Sequence, residues 1–373
     1  MTNDERSPND EYRNWLAKEP ACNVLADSLY GLGNSSFLRH WSLITCAVCF
    51  TCLLAFGSGC NSASQEPQLR IGMMPKLVGI SYFDATERGA REAAEELGVR
   101  LIYDGPTGPQ SDEQIQLING WVAQGLDVIA VAPNDPEAIS KTLRTARAAG
   151  ATVITWDTDA NPVKSDRSIF VNQAPNEAIG RVLVDVMADG VRRRGGDLAG
   201  EYLIVSGTPT ASNQNTWMQV MRARIAAAYP EMQLLPHLTP GEDHRRSQEQ
   251  TSEALAANPH LKGIWGITSV SLPAAAKAVR DAGMQEKIYV TGLSLPSQMR
   301  DFVKDGTVEN FVLWDAVDLG YLTVQLASRL ARGTLPDGTY EMGRLSNIEI
   351  RAGEAILGPP VVFDRDNIDE YQF

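Results

Sequence analysis

From residue 69 onward, apolar residues alternate between short continuous runs and helix-like spacing. The runs LRIGMM (69–74), VRLIYDG (99–105), LDVIAVAP (126–133) and ATVITWDTD (151–159) are rich in Val, Ile and Leu, as buried strands are. The stretches between them, such as DATERGAREAAEELG ending at Gly98, space their apolar residues as amphipathic helices do. Strands that alternate with helices predict a parallel sheet with helices on both faces.

The same alternation starts again with a long predicted helix from about Asn176 to Arg194. It continues through four strand-like runs, GEYLIVSG, MQLLPHL, LKGIWGIT and KIYVTGLS, with helical stretches between them. The pattern therefore predicts an α/β fold with two doubly wound parallel-sheet lobes and a ligand cleft between the lobes. We assign residues 1–60 to an N-terminal extension and signal, 61–68 to a linker, 69–173 and about 314–338 to the N-terminal lobe, and 174–313 and about 339–373 to the C-terminal lobe.

The stretch WSLITCAVCFTCLLAFGSGC (41–60) carries no charged residue and ends in small residues before Cys60. This is typical of a secretory signal with a lipoprotein-type ending, so we expect Cys60 to be lipidated. An uncleaved membrane anchor is the alternative, because the segment is almost long enough to span a bilayer. In either case we expect the body of the protein in the periplasm or at the outer face of the cytoplasmic membrane.

Charge and residue usage argue against several classes of protein. A formal net charge of -13 argues against nucleic acid as a partner, because phosphates require a basic surface. The four histidines have no metal-ligand spacing and no phosphate-binding glycine motif follows a strand, so we expect no metal and no cofactor. A sugar-acting enzyme that uses Asp157 and Asp159 is an alternative, but two carboxylates on one strand end are poorly placed to flank a bond.

Polar and aromatic residues follow the predicted strands at the sheet edge where open α/β sheets bind ligands. A cation, carboxylates, amides and aromatic rings together suit a neutral polyhydroxylated ligand, because they pair with hydroxyl groups and cover apolar sugar faces. The predicted ligand-binding residues are Lys76, Tyr82, Phe83, Asp157, Asp159, Asn213, Gln214, Ser269, Trp314 and Asp315.

An ordinary structural role is the alternative for several of these residues. The open alternatives are a solvent-exposed ammonium group for Lys76, core packing for Tyr82 and Phe83, and capping for Asp157, Asp159 and Asn213. Asp135 stands directly before Pro136, so we predict that it caps a helix. Trp156 and Trp217 are predicted to be core residues rather than cleft residues.

The loops also resemble a known family. The segments that carry the resemblance are MPKLVGISYF, YDGPT, QIQLINGWVAQGLDVIAVAP, ITWDTD, FVNQAP, NQNTW, LPAAA, GTVENFVLWDAVDLGYL and GPPVVFDRDNIDEYQF. Together they resemble the type I periplasmic solute-binding proteins of ABC importers, and more narrowly the branch with the rhamnose-binding proteins and the autoinducer-2 receptors. The resemblance covers nearly all of residues 69–373.

The resemblance also implies ligand contacts. The contacts of the autoinducer-2 receptors fall on Lys76, Asp157, Asn213, Gln214, Ile267 and Ser269. The lysine, the first aspartate and the glutamine match, whereas Asn213 replaces an aspartate, Ile267 a proline and Ser269 an alanine. Because ITSVSLPAAA and NQNTW look more like the rhamnose-binding branch, the resemblance implies a deoxyhexose such as rhamnose.

The resemblance implies a substrate-binding lipoprotein that closes on its sugar by hinge motion and catalyses nothing. Its implied partners are a small-molecule sugar, a permease with its ATPase, and the membrane through a lipid anchor. We expect a monomer. A sensory receptor for autoinducer-2 or for a sugar, with the same fold, is the alternative.

Overall fold

The structure is a computed structural model that describes residues 68–373. The predicted signal at 41–60 and the predicted lipidation site at Cys60 lie outside the described residues. Within residues 68–373, no helix is both long enough and apolar enough to cross a bilayer.

Strands and helices alternate along the described residues as the apolar pattern predicts, and the predicted α/β fold class is confirmed. The strands are β1 (Arg70–Met74), β2 (Arg100–Tyr103), β3 (Val128–Val131), β4 (Thr152–Trp156), β5 (Ile169–Asn172), β6 (Gly200–Val205), β7 (Met232–Leu234), β8 (Leu261–Gly266), β9 (Tyr289–Gly292), β10 (Asn310–Leu313), β11 (Gly338–Met342), β12 (Leu345–Arg351), β13 (Glu354–Ile356) and β14 (Val361–Asp364). The helices are α1 (Ser81–Leu97), α2 (Ser111–Ala123), α3 (Pro136–Ala148), α4 (Pro162–Ser165), α5 (Asn176–Arg193), α6 (Ser212–Ala228), α7 (His244–Ala257), α8 (Ser271–Asp281), α9 (Pro296–Lys304) and α10 (Ala316–Arg332).

The N-terminal lobe is built on a sheet whose first five strands are parallel, in the order β2-β1-β3-β4-β5. All four residues of β3, VIAV, are buried, as expected for a central strand with helices on both faces. The strand order reverses between β1 and β3. Such a switch point opens a crevice at the carboxyl ends of the strands, where ligands of these folds bind.

The C-terminal lobe repeats this arrangement with a parallel sheet in the order β7-β6-β8-β9. Its strand order reverses between β6 and β8, which gives a second switch point. The antiparallel pair β10-β14 continues this lobe, and a bridge between Leu293 and Val312 joins it to the end of β9.

The long helices α1 and α10 pack closely on the N-terminal sheet. The close approach depends on two glycines: a Cβ on Gly89 would lie 1.8 Å from the Val317 carbonyl oxygen, and one on Gly320 would lie 1.8 Å from the Thr86 carbonyl oxygen. Any larger residue at either position would therefore push the two helices apart. This contact fixes α10 to the N-terminal lobe.

The placement of the chain after residue 338 differs from our prediction. We assigned residues of about 339–373 to the C-terminal lobe, but β11, β12 and β13 extend the N-terminal sheet. Strand β13 pairs in parallel with β5, with Glu354 opposite Phe170. The added strands cover an edge of β5 that would otherwise be open. Only the last segment, from β14 onward, packs on the C-terminal lobe.

Within residues 68–373 the chain consequently passes between the lobes three times: between β5 and α5, between β10 and α10, and between β13 and β14.

Two local features of the helices can be compared with our predictions. Asp135 caps α3 as predicted, since it accepts hydrogen bonds from the backbone N–H groups of Glu137 and Ala138 at 2.9 and 3.1 Å. Helix α1 starts earlier than we predicted, so Tyr82 and Phe83 lie in its first turn.

Candidate functional site

A cavity of about 460 Å³, including its opening to solvent, lies between the lobes at the carboxyl ends of β1, β4, β6 and β8. The lining residues are Lys76, Ile80, Tyr82, Phe83, Asp157, Asn213, Gln214, Trp217, Glu242, Ile267, Thr268, Ser269, Leu293, Leu313 and Trp314. Both switch points of the fold therefore contribute to one site.

Lys76 lies just after β1 and points into the cavity rather than to solvent. Its side chain is 8% exposed, and its Nζ lies 3.4 Å from Oδ2 of Asp157. The Asn134 amide donates a hydrogen bond of 2.9 Å to the Lys76 carbonyl oxygen and so fixes the loop. The solvent-exposed alternative for this lysine is thus wrong, and burial makes its pairing with a carboxylate necessary.

Asp157 follows β4 and is held in a left-handed backbone conformation with φ of 59°. This conformation is uncommon outside glycine and is better tolerated by Asp and Asn than by most residues. Its Oδ1 accepts a hydrogen bond from the Tyr82 hydroxyl at 2.9 Å, and its Oδ2 accepts one from the Thr158 hydroxyl at 3.1 Å. The carboxylate is thereby fixed in orientation at the wall of the cavity.

Aromatic rings form much of the remaining wall. The Trp314 indole N–H donates to the Tyr82 hydroxyl at 2.9 Å, and the rings of Trp217 and Trp314 pack with centroids 5.9 Å apart. Burial, aided by the negative charge of Asp157, raises the pKa of Tyr82 well above its ordinary value, so its hydroxyl stays a donor. Trp217 lines the cavity, which corrects our prediction of a purely core role, whereas Trp156 is fully buried as predicted.

Asn213 connects the two lobes. It lies inside the first turn of α6, whose N-cap is Ala211, so the capping alternative for Asn213 is wrong. Its Oδ1 accepts a hydrogen bond from the Lys76 ammonium group at 3.1 Å, and its Nδ2 lies 3.5 Å from the Asp157 carbonyl oxygen. Asn213 is thus the C-terminal lobe's direct contact to the ion pair of the N-terminal lobe.

Gln214 is positioned by its own lobe. Its Oε1 accepts hydrogen bonds of 2.8 Å from the Ser206 hydroxyl and from the backbone N–H of Gly207, which leaves its amide nitrogen facing the cavity region. Ser269 lines the cavity from the loop after β8. Eight of our ten predicted residues therefore line this cavity.

Asp159 and Asp315 do not line the cavity. Asp159 forms two hydrogen bonds with the Arg167 guanidinium group at 2.7 and 2.6 Å, because the left-handed backbone at Asp157 interrupts the extended strand and turns the following residues away. Asp315 caps α10 by accepting a hydrogen bond from the backbone N–H of Asp318 at 2.9 Å. Burial raises the pKa of Asp315. Both carboxylates have structural roles here.

Sequence reasoning missed Glu242 and Thr268, together with several apolar residues of the wall. The segment TPGEDH (239–244) contains no residue of our predicted set, but Glu242 lines the cavity, and burial raises the pKa of its carboxyl group. One signal was available: Glu242 lies between β7 and α7, on the same sheet edge as the other site residues. Residues 68–373 contain no cluster of His, Cys, Asp or Glu side chains suited to a metal ion.

Comparisons with known proteins agree with this geometry. A family model described as a periplasmic binding protein domain matches residues 71–335. LsrB from Clostridium saccharobutylicum, solved in complex with AI-2, is 25% identical with a TM-score of 0.78, covering 82% of this chain and 100% of that one. An ABC transporter solute-binding protein from Clostridium phytofermentas with bound L-rhamnose is 30% identical with a TM-score of 0.75, covering 82% and 98%.

A curated relative is more distant in sequence. The D-ribose/D-allose-binding protein of Pseudomonas aeruginosa is 24% identical over 286 residues, which covers 72% of this chain and 84% of that protein. The family match at residues 71–335 contains every residue that lines the cavity.

Proposed function

Since the chain belongs to the periplasmic binding protein family, we propose that it is the substrate-binding component of an ABC importer for a neutral monosaccharide, a deoxyhexose such as rhamnose. The homologues and the fold are those of substrate-binding proteins of ABC transporters, not of enzymes. Membership of the periplasmic binding protein family, which the sequence resemblance implied, is confirmed. The identity of the bound sugar is our proposal.

One observation carries the proposal: a buried ion pair, Lys76 with Asp157, lies beside an amide and indole rings in a cavity between two lobes. Ammonium, amide and carboxylate groups can each pair with a sugar hydroxyl group, and aromatic rings can cover an apolar sugar face. The L-rhamnose complex of the Clostridium phytofermentas relative, at 30% identity, supports a deoxyhexose in this cavity.

Lobe closure is the proposed mechanism. The hydrogen bond between Lys76 and Asn213 joins the lobes directly at the site. A sugar between the lobes would add hydrogen bonds to both of them, and so would favour the closed form over the open form. The closed form would then dock on a permease and its ATPase. We further propose that the protein is exported and anchored through a lipid on Cys60.

Reception of AI-2 is a second candidate, favoured by one observation. The AI-2 complex of LsrB superposes on this chain with a TM-score of 0.78. Lys76, Asp157 and Gln214, which the resemblance assigned to such a ligand, all line the cavity. A signal-receptor role therefore predicts a different ligand, AI-2, in the same cavity.

A thermal-shift panel tests both candidates on purified residues 61–373. A ligand at ~100 times its dissociation constant stabilises the folded protein by about 2.7 kcal/mol, so L-rhamnose is expected to raise the melting temperature measurably. The panel also contains other neutral hexoses, pentoses and AI-2. A shift with another neutral sugar alone corrects the choice of sugar, and a shift with AI-2 alone favours the receptor. The absence of any shift would refute the proposed function.

A further inference from the structure

Glu242 belongs to the wall of the cavity although it lies on a loop between β7 and α7. Backbone hydrogen bonds hold this loop against the end of β6; among them, Leu238 donates to the Ile204 carbonyl at 2.9 Å, and Gly241 donates to the Gly207 carbonyl at 3.1 Å. On the other side of Glu242, Asp243 caps α7. The backbone is therefore fixed on both sides of the glutamate.

The carboxylate of Glu242 occupies space that a glycine leaves open. A Cβ on Gly207 would lie 2.3 Å from Oε1 of Glu242 and 2.8 Å from Oε1 of Gln214. A larger residue at Gly207 would displace both side chains. The glycine lets the carboxylate pack against the β6 loop at the edge of the cavity.

The protein leaves much of the hydrogen-bonding capacity of Glu242 unused. Its Oε1 is 3.4 Å from the Gln214 amide nitrogen, which is a long hydrogen bond. A carboxylate has about four acceptor positions. Asp157 differs, because Lys76, Tyr82 and Thr158 already engage its two oxygens. Glu242 thus retains acceptor positions for a bound ligand.

The charges around the cavity are not balanced. Among the described residues that line it, Lys76 is the cation, and Asp157 and Glu242 are the carboxylates. The ammonium group is within 3.4 Å of Asp157, so Glu242 has no equally close positive partner among these groups. Burial raises the pKa of Glu242, as expected for an acid whose charge is incompletely compensated.

We propose that Glu242 determines charge specificity: it accepts hydrogen bonds from hydroxyl groups of a neutral sugar and excludes sugars that carry a carboxylate or phosphate group. An anionic ligand would bring a third negative charge into a cavity with one cation, and like charges in close contact are strongly unfavourable. This inference rests on the proposed function and adds the residue that selects against sugar acids.

Calorimetric titration of the full chain tests the inference. Wild type, Glu242→Gln and the control Glu253→Gln are titrated with the neutral sugar of highest affinity and with the uronic acid of the same ring configuration. Glu253 is an exposed glutamate of α7 that does not line the cavity, so its variant makes the same charge change outside the site. In Glu242→Gln we expect the ratio of neutral to anionic affinity to fall ~100-fold, by weaker neutral binding and stronger anion binding.

The outcomes are distinct. Neutral binding with the same affinity ratio in Glu242→Gln and Glu253→Gln overturns the role of Glu242 but leaves the proposed function intact. Failure of wild type to bind any neutral sugar overturns the proposed function, and the inference with it. Tight binding of the uronic acid by wild type overturns the inference directly.

A measurement on wild type does not depend on whether the variant folds. The groups that face Glu242 are Lys76, Asp157, Gln214 and Thr268. Because the pKa of Glu242 is raised, it takes up a proton at a higher pH than an exposed glutamate. Rejection of the uronic acid should therefore be strongest where Glu242 is ionised and should relax as the pH falls through the raised pKa of Glu242, above the pH at which an exposed glutamate takes up a proton. A ratio that does not change over this range contradicts the inference.

Discussion

The two lobes contribute to the same cavity in different ways. On the N-terminal side, Lys76, Tyr82, Asp157 and Trp314 form one connected set, with Trp314 donating to Tyr82, Tyr82 donating to Asp157, and Asp157 paired with Lys76. On the C-terminal side, the polar residues do not form such a set: Gln214 is held by the β6 loop, and Asn213 makes its hydrogen bond across the cavity with Lys76.

The two sides therefore have different roles: the N-terminal residues fix one another's orientation, whereas the C-terminal residues make individual contacts. Loss of one member of the N-terminal set leaves the others buried without their partners, which costs more than loss of one favourable contact. Loss of a C-terminal residue removes one contact and leaves its neighbours in place. Changes on the N-terminal side should therefore reduce affinity more than changes on the C-terminal side.

The largest effect is expected for Asp157→Ala. The change leaves the Lys76 ammonium group buried without its carboxylate and removes the acceptor of the Tyr82 hydroxyl, so sugar affinity should fall more than ~100-fold. The matched control is Asp159→Ala, which breaks the pair with Arg167 outside the cavity. Calorimetry should show near-normal affinity for the control, and equal losses in the two variants would break the distinction between these aspartates.

An intermediate effect is expected for Asn213→Ala. It removes the acceptor of the hydrogen bond from Lys76 across the lobes, and one such bond to a charged group corresponds to a loss of ~10-fold or more in affinity. Asn215→Ala, two residues further along α6, is the control because its amide donates to the Pro209 carbonyl outside the cavity. If Asn213→Ala weakened binding as much as Asp157→Ala, the proposed difference between the lobes would be wrong.

The smallest effect is expected for Asp315→Ala. Loss of a helix cap costs about 1 kcal/mol of the free energy of unfolding, while sugar affinity should stay unchanged because Asp315 does not line the cavity. Asp135→Ala removes an equivalent cap from α3 and should cost about the same in chemical denaturation. A large loss of affinity in the Asp315 variant would show that Asp315 does take part in sugar binding.

The sequence was sufficient for the repeated α/β pattern because buried parallel strands are continuous apolar runs. The sequence also predicted that Lys76 and Asp157 lie at the edge of the sheet, where they now line the cavity, because residues that directly follow parallel strands lie at this edge. Asp159 failed for a local reason: the backbone at Asp157 has φ of 59°, and an apolar pattern does not predict a left-handed residue at a strand end.

Other features depend on long-range packing that local patterns do not encode. Glu242 lies in the loop 235–243 after a strand of three residues, and this loop has no regular apolar pattern, so the position of Glu242 at the cavity wall depends on contacts with Gly207 and Gln214. The position of β13 depends on the free edge of β5. The side chains of Asn172 in β5 and Glu354 in β13 form a hydrogen bond, although the two residues are 182 positions apart in the chain. Neither contact leaves a periodic signal in the sequence.

The three passages of the chain between the lobes have a consequence for dissection of the protein. A cut at any one of them cannot release a lobe as a single fragment, since α10 and β11–β13 complete the first sheet after the second has been synthesised. During synthesis the first sheet therefore waits for the 165 residues between β5 and β11 (173–337) before its last strands exist. Limited proteolysis at one passage should leave two fragments that stay associated, because at least one of them contains parts of both lobes.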